Sequence, residues 1–273
     1  MLLSTMTYEE IYHAISNEMP DVFAHYQKTV KSKVDRTLKK ATNFPKRITI
    51  EWKHPQSHNK YTYYIQSNRR AQWDNPFMTI FCNRDVKKGK ELFIVIPNPM
   101  RRELLLQVFT KHFYDRYGER FLNDTTDYCK SVAQYVMRNT DAESMGEECV
   151  SENELQNDIP GYQHESMLTI DGLGEGLRNK EGNIIIYRTF VSFDTLFKKQ
   201  FERIWAKYLY CVCKWAMINS PKDRFTLNNI YEGGASRIHQ IADDTTLPEE
   251  EKRQQIYQEY EQTYQKLVKY INI

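Results

Sequence analysis

The sequence predicts an α+β fold: a central antiparallel sheet with helices before it and two long C-terminal helices packed against it. Three observations carry that expectation. Apolar residues recur at every fourth position early in the chain (Val22, Tyr26, Val30, Val34, Leu38), which is the stripe of a helix. They then alternate with polar residues from Arg47 to Lys53, which is the period of a half-buried strand. Helical spacing returns after residue 193, so strands and helices occupy separate blocks instead of alternating as βαβ units.

The elements follow in order. Thr7 caps a helix from Tyr8 to Ser16, and Glu9 and Glu10 suit its first turn. Asp21 caps a second helix reaching about Lys40, and Pro45 closes the helical region. Strands are expected at Arg47–Lys53 and Lys60–Gln66, and Phe77–Asn83 pairs with Leu92–Ile96 around the polar turn Asp85–Gly89. Pro97 and Pro99 stop the sheet there. Glu103–Phe109 is a further strand feeding a helix at Thr110, and Asp127–Asn139 is another short helix. Residues 141–165 hold eight acids and no Lys or Arg, which predicts a long acidic loop. Strands return at Ser166–Asp171 and Asn183–Ser192, joined by the glycine-rich Gly172–Gly176. Helices follow from Asp194 to about Asn219 and, after a polar stretch holding Gly233 and Gly234, from Pro248 to Tyr270. These blocks divide the chain into a helical segment 1–45, a sheet core 46–192 and a helical segment 193–273.

Composition narrows the function classes. Hydrophobic residues at 40% and charged residues at 27% describe a folded globule, not a disordered chain. The longest apolar run, Tyr208–Ile218, is interrupted by Lys214 and is too short to span a bilayer, so no membrane is expected. The opening residues lack the form of a secretory signal. Five scattered cysteines without C-x-x-C spacing read as reduced thiols, so the expected location is the cytoplasm. His54 and His58 flank a short loop without a third ligand nearby in sequence, and no metal is expected. No dinucleotide fingerprint or Walker loop is present, and no cofactor is expected.

Charge is unevenly distributed. From Lys28 to Arg120 there are 21 Lys and Arg against 8 Asp and Glu, while residues 1–27 hold four acids and no Lys or Arg. A surface of that sign attracts RNA or another polyanion, and Lys28, Lys31, Lys39 and Lys40 on the second helix are the candidate contacts. Catalytic candidates lie in Thr110–Arg120. With Thr110 as the cap, His112, Arg116 and Arg120 recur at every fourth residue and share one helix face. An imidazole can move a proton while guanidiniums hold a phosphate and its developing charge.

This strand, the Thr-x-His helix start, the following arginines and then a hairpin ending in Thr or Ser, in Arg188-Thr-Phe-Val-Ser192, resemble the metal-independent ribonuclease toxins of the barnase–EndoU–colicin–RelE group. The resemblance covers residues 103–192. It implies His112 as general base or acid, Arg116 and Arg120 on the phosphate, and Thr189 or Ser192 on the phosphate or the ribose hydroxyl. It also implies a toxin or defence protein that cleaves RNA. The acidic insertion and the helical flanks depart from the pattern. The alternative is a non-enzymatic interaction or assembly protein whose charges pair internally, with His112 and the arginines salt-bridged to Asp115 and Glu119. Tyr257, Tyr260, Tyr264, Leu267 and Ile271 form a short seam at steps of three and four. It can join two copies, but packing on its own domain, as a monomer, is the favoured expectation.

Overall fold

The computed structural model describes residues 1–87, 89–98, 103–124, 126–139, 142–146, 159–192 and 198–271. It is an α+β fold with a nine-stranded sheet in the order β1-β2-β3-β4-β5-β9-β8-β7-β6. The chain divides into two compact units. The first is Met1–Arg138, Val150–Ser166 and Gly174–Val191; the second is Asn139–Cys149, Met167–Leu173 and Ser192–Ile273.

The first unit opens with α1 (Tyr8–His25), capped by Thr7 in a capping box with Glu10. The expected break at Asp21 does not occur. Pro20 lies inside α1 on its exposed side, while Ile15, Met19 and Val22 on the buried side carry the helix through. The chain continues through a π turn (Tyr26–Val30) into α2 (Lys31–Lys40). The π turn has a physical reason. At strict four-residue spacing a stripe precesses by about 40° per step on an α-helix. A widened turn resets the phase, and Val22, Tyr26, Val30, Val34 and Leu38 are all buried.

Five strands form a meander: β1 (Lys46–Lys53), β2 (Lys60–Ser67), β3 (Phe77–Val86), β4 (Gly89–Asn98) and β5 (Glu103–Phe109). Consecutive pairs are antiparallel, and Val86↔Gly89 closes the β3–β4 hairpin. β4 runs through position 97, so that proline does not end the strand. One face of the sheet (Tyr61, Tyr63, Ile65, Cys82, Phe93, Leu106, Val108) packs against the buried stripe of α1 and α2.

The chain leaves β5 into α3 (Lys111–Tyr117), capped by Thr110 as expected, then a π turn (Gly118–Leu122) and α4 (Tyr128–Arg138). These cover the other face with an aromatic layer. Phe109 stacks on Tyr187 at 4.8 Å, and Phe113 meets Tyr135 edge-on at 4.9 Å. The remaining strands are β6 (Glu143–Ser144), β7 (Tyr162–Leu168), β8 (Gly172–Asn179) and β9 (Ile184–Ser192). Most of the acidic stretch 141–165 lies outside the described residues, but its last residues already belong to β7.

Two expectations are corrected here. β9 pairs with β5 in parallel, from Leu106↔Ile184 to Phe109↔Tyr187, so the sheet is not wholly antiparallel. The glycine-rich segment is strand β8, not a connection. A Cβ on Gly176 would lie 1.7 Å from the Ile186 carbonyl oxygen, and one on Gly174 would lie 3.0 Å from Tyr135 and Tyr187. Glycine is required there because neighbouring backbone and rings approach so closely.

The second unit holds α5 (Lys198–Asn219), α6 (Arg224–Asp243) and α7 (Glu249–Val268). The start expected at Asp194 lies outside the described residues. The polar stretch that holds Gly233 and Gly234 is helical and forms α6. A Cβ on Gly234 would meet Thr263 Oγ1 at 2.2 Å, so this glycine lets α6 and α7 come together. The α7 seam turns inward: Tyr260, Leu267 and Ile271 are buried, and Tyr208 of α5 lies 6.1 Å from Tyr260 and 5.9 Å from Tyr264. Tyr257 stays exposed. Among the described residues no helix is long and apolar enough to cross a membrane.

Candidate nucleic-acid interface

The basic surface is built on α2. Its apolar stripe is fully used against the sheet, so the cations of α2 fall on the remaining sides. The four predicted contacts separate in their surroundings. Lys28 is exposed on the π turn. Lys31 is held by Asp35 at 2.9 Å, and that carboxylate raises the lysine pKa above its ordinary value. Lys39 places its ammonium 4.1 Å over the ring of Trp73. Lys40 lines a groove of about 600 Å³ where the chain reverses from α2 into β1.

That groove gathers Arg36 and Lys40 from α2 and Lys46 from β1, with Thr37, Thr42 and Asn43 between them. Its lining has three cations, several polar donors and no carboxylate. Arg36 and Lys40 stand one turn apart and project to the same side. Lys46 joins them because the chain turns back through 41–45, which includes the cis Phe44–Pro45 bond. Sequence reasoning gave Lys46 no role, since nothing local shows that it folds back onto the end of α2. Trp73, in the β2–β3 connection, was likewise missed.

The catalytic candidates are placed less convergently. His112 is exposed in the first turn of α3 and lines a cleft of about 590 Å³ with Val86, Lys87, Glu91, Lys111 and Asp115. Arg116 bonds Glu119 at 3.2 Å. Lys111 pairs with Asp115 on the same helix. Arg120 donates through Nη1 to the Phe190 carbonyl at 2.5 Å. Burial and the nearby Arg116 charge lower the pKa of Arg120.

The Arg120 bond has a structural cause. β5 ends at Phe109, so carbonyls further along β9 lose their neighbouring strand. Thr110 N–H takes the Tyr187 carbonyl, Thr110 Oγ1 takes that of Arg188 at 2.8 Å, and Arg120 takes that of Phe190. Buried backbone acceptors need such partners. Thr189 is half-buried beside Phe190; Ser192 is buried and belongs to the second unit.

His54 is buried: Ser57 N–H donates to its Nδ1 at 3.2 Å, and its Nε2 faces Asp21 at 3.4 Å. Among the described residues no cluster of three or more His, Cys, Asp or Glu is arranged to hold a metal ion. Comparison of the chain with protein-family models, with curated proteins and with solved structures finds no match.

Proposed function

We propose that this protein binds RNA through the basic side of α2 and the groove at its C-terminal end. The observation that carries the reading is the groove itself, where Arg36, Lys40 and Lys46 converge without a carboxylate in the lining. Cations held around a concave surface attract the phosphates of a nucleic-acid backbone and release its counterions on binding. The test is fluorescence anisotropy with labelled RNA at increasing salt. Three phosphate contacts predict a slope of about −2 in log K against log salt for a single strand. Reversing Arg36, Lys40 and Lys46 to Glu removes most of the affinity and flattens the slope. No binding at low salt, or affinity unchanged by the triple reversal, defeats the reading.

A second reading, RNA cleavage, rests on the exposed His112 in its cleft beside Lys87 and Lys111. In it His112 exchanges the proton, and the two ammonium groups hold the phosphate in place of Arg120, which caps β9. Cleavage that persists in EDTA and falls by roughly 10²–10⁴-fold in His112→Ala is the expected result. Cleavage that survives His112→Ala assigns the chemistry elsewhere. Lack of cleavage by the intact protein leaves the interaction-protein alternative, which the Lys31–Asp35 and Arg116–Glu119 pairs favour.

A further inference from the structure

We infer that the nucleic acid taken by this surface is single-stranded, with Trp73 as the face on which a base stacks; the inference rests on the RNA-binding reading above.

Trp73 follows a single 3₁₀ turn (Arg70–Gln72) in the β2–β3 connection and is half-buried. The residue packs against the hydrophobic core that α1 and α2 form with the sheet. The ring is met by Lys39, whose ammonium sits 4.1 Å from the centroid. Lys39 is exposed, so this covering group is a mobile, hydrated side chain and not part of the packed interior. A cation–π contact at an exposed site is weak, and a base can replace it while the ammonium moves to a phosphate.

The surroundings suit that exchange. Arg69 and Arg70 are exposed just before Trp73. Asp74, the adjacent acid, is exposed. Lys39 neighbours Lys40 and stands three residues from Arg36, so about one turn of α2 links the tryptophan to the phosphate groove. Trp52 offers a contrast. His25 lies 4.4 Å from it with an interplanar angle of 8°, so one face of that ring is already stacked by the protein's own chain.

A base inside a duplex has both faces covered by its neighbours, so only an unpaired base can use Trp73. A cationic track beside an aromatic platform is the physical form of single-strand recognition.

The experiment uses the full chain and three probes of equal length: an oligouridine, the same backbone without bases, and an RNA duplex. Anisotropy gives each Kd, and tryptophan emission is followed in the native protein and in Trp73→Phe. Phenylalanine retains the apolar contact with the core, so this variant keeps the fold. The oligouridine is expected to bind roughly 5- to 150-fold more tightly than the abasic strand, the range for one stacked base. It is also expected to quench emission in the native protein and not in Trp73→Phe. Equal affinity for oligouridine and abasic strand, tighter binding of the duplex, or quenching that survives Trp73→Phe overturns the inference and leaves RNA binding intact. Absence of binding by all three probes overturns both.

Discussion

Replacing Arg84 by Met tests the buried ion pair that ties the start of the chain to the sheet. Arg84 Nε bonds Glu91 Oε2 at 2.7 Å, with side chains only 6% and 11% exposed. Its Nη1 also donates to the Met6 carbonyl at 2.8 Å and the Leu3 carbonyl at 3.4 Å, and the Tyr8 hydroxyl donates to Glu91 Oε1 at 3.0 Å. The guanidinium stands 5.1 Å from the Tyr8 ring centroid and 5.6 Å from that of Phe93. Methionine fills much of that space but leaves the Glu91 carboxylate buried without its cation. Breaking one side of such a pair costs about 3–5 kcal/mol. Removing both charges, as Arg84→Met with Glu91→Leu, abolishes the uncompensated carboxylate. The Met6 carbonyl still loses its guanidinium donor and the Tyr8 hydroxyl its carboxylate acceptor, so the double variant stays about 1–3 kcal/mol below the native protein. Urea unfolding followed by circular dichroism and fitted as two transitions measures this. With m-values of about 1–3 kcal/mol per molar, the single variant moves its midpoint by about 1 M or more. The reasoning fails if Arg84→Met loses less than about 1 kcal/mol, or if the double variant is no more stable than the single.

Alkaline pH weakens the fold through groups that burial keeps protonated. Tyr8 and Tyr114 are pushed from 10.0 up to about 12, and Cys82 and Cys129 from 9.0 up to about 12, in each case by burial foremost. Their folded pKa values exceed the unfolded ones, so the stabilisation is complete below about pH 9 and is lost as pH rises toward 12; a denaturation midpoint constant from pH 8 to 11 would contradict this. Two adjacent glycines in α6 give opposite results on substitution by Ala. A Cβ on Gly233 meets nothing within 4 Å, so Gly233→Ala gains about 0.5–1 kcal/mol of helix stability. A Cβ on Gly234 enters Thr263, so Gly234→Ala loses about 1–3 kcal/mol; thermal melts that rank the two variants in the reverse order would refute the packing argument.

What the sequence reveals and what it hides divide along the range of the forces involved. The alternation from Arg47 to Lys53, the pairing of Phe77–Asn83 with Leu92–Ile96 and the Thr110 cap are local patterns, and each appears in the structure at nearly the expected place. Misreadings arise where a distant partner decides. Gly172, Gly174 and Gly176 look like a flexible connection, because glycine is a poor strand former by itself. Its placement in β8 makes sense only once the Ile186 carbonyl is known to lie against Gly176. The parallel pairing of β5 with β9 joins residues nearly 80 positions apart, from Leu106↔Ile184, and leaves no local trace. The same division governs the site. Helical spacing puts His112, Arg116 and Arg120 on one face, but spacing cannot show that Arg120 is held by the Phe190 carbonyl of β9. Lys40 was legible as a cation on α2; its groove was not, because Lys46 reaches it through a chain reversal that helical periodicity does not encode. A basic helix face is therefore a statement about charge, and it becomes a statement about binding only when tertiary structure supplies the concavity and the aromatic neighbour. Here the proposal of RNA binding rests on the groove at the 41–46 reversal and on Trp73 beside Lys39.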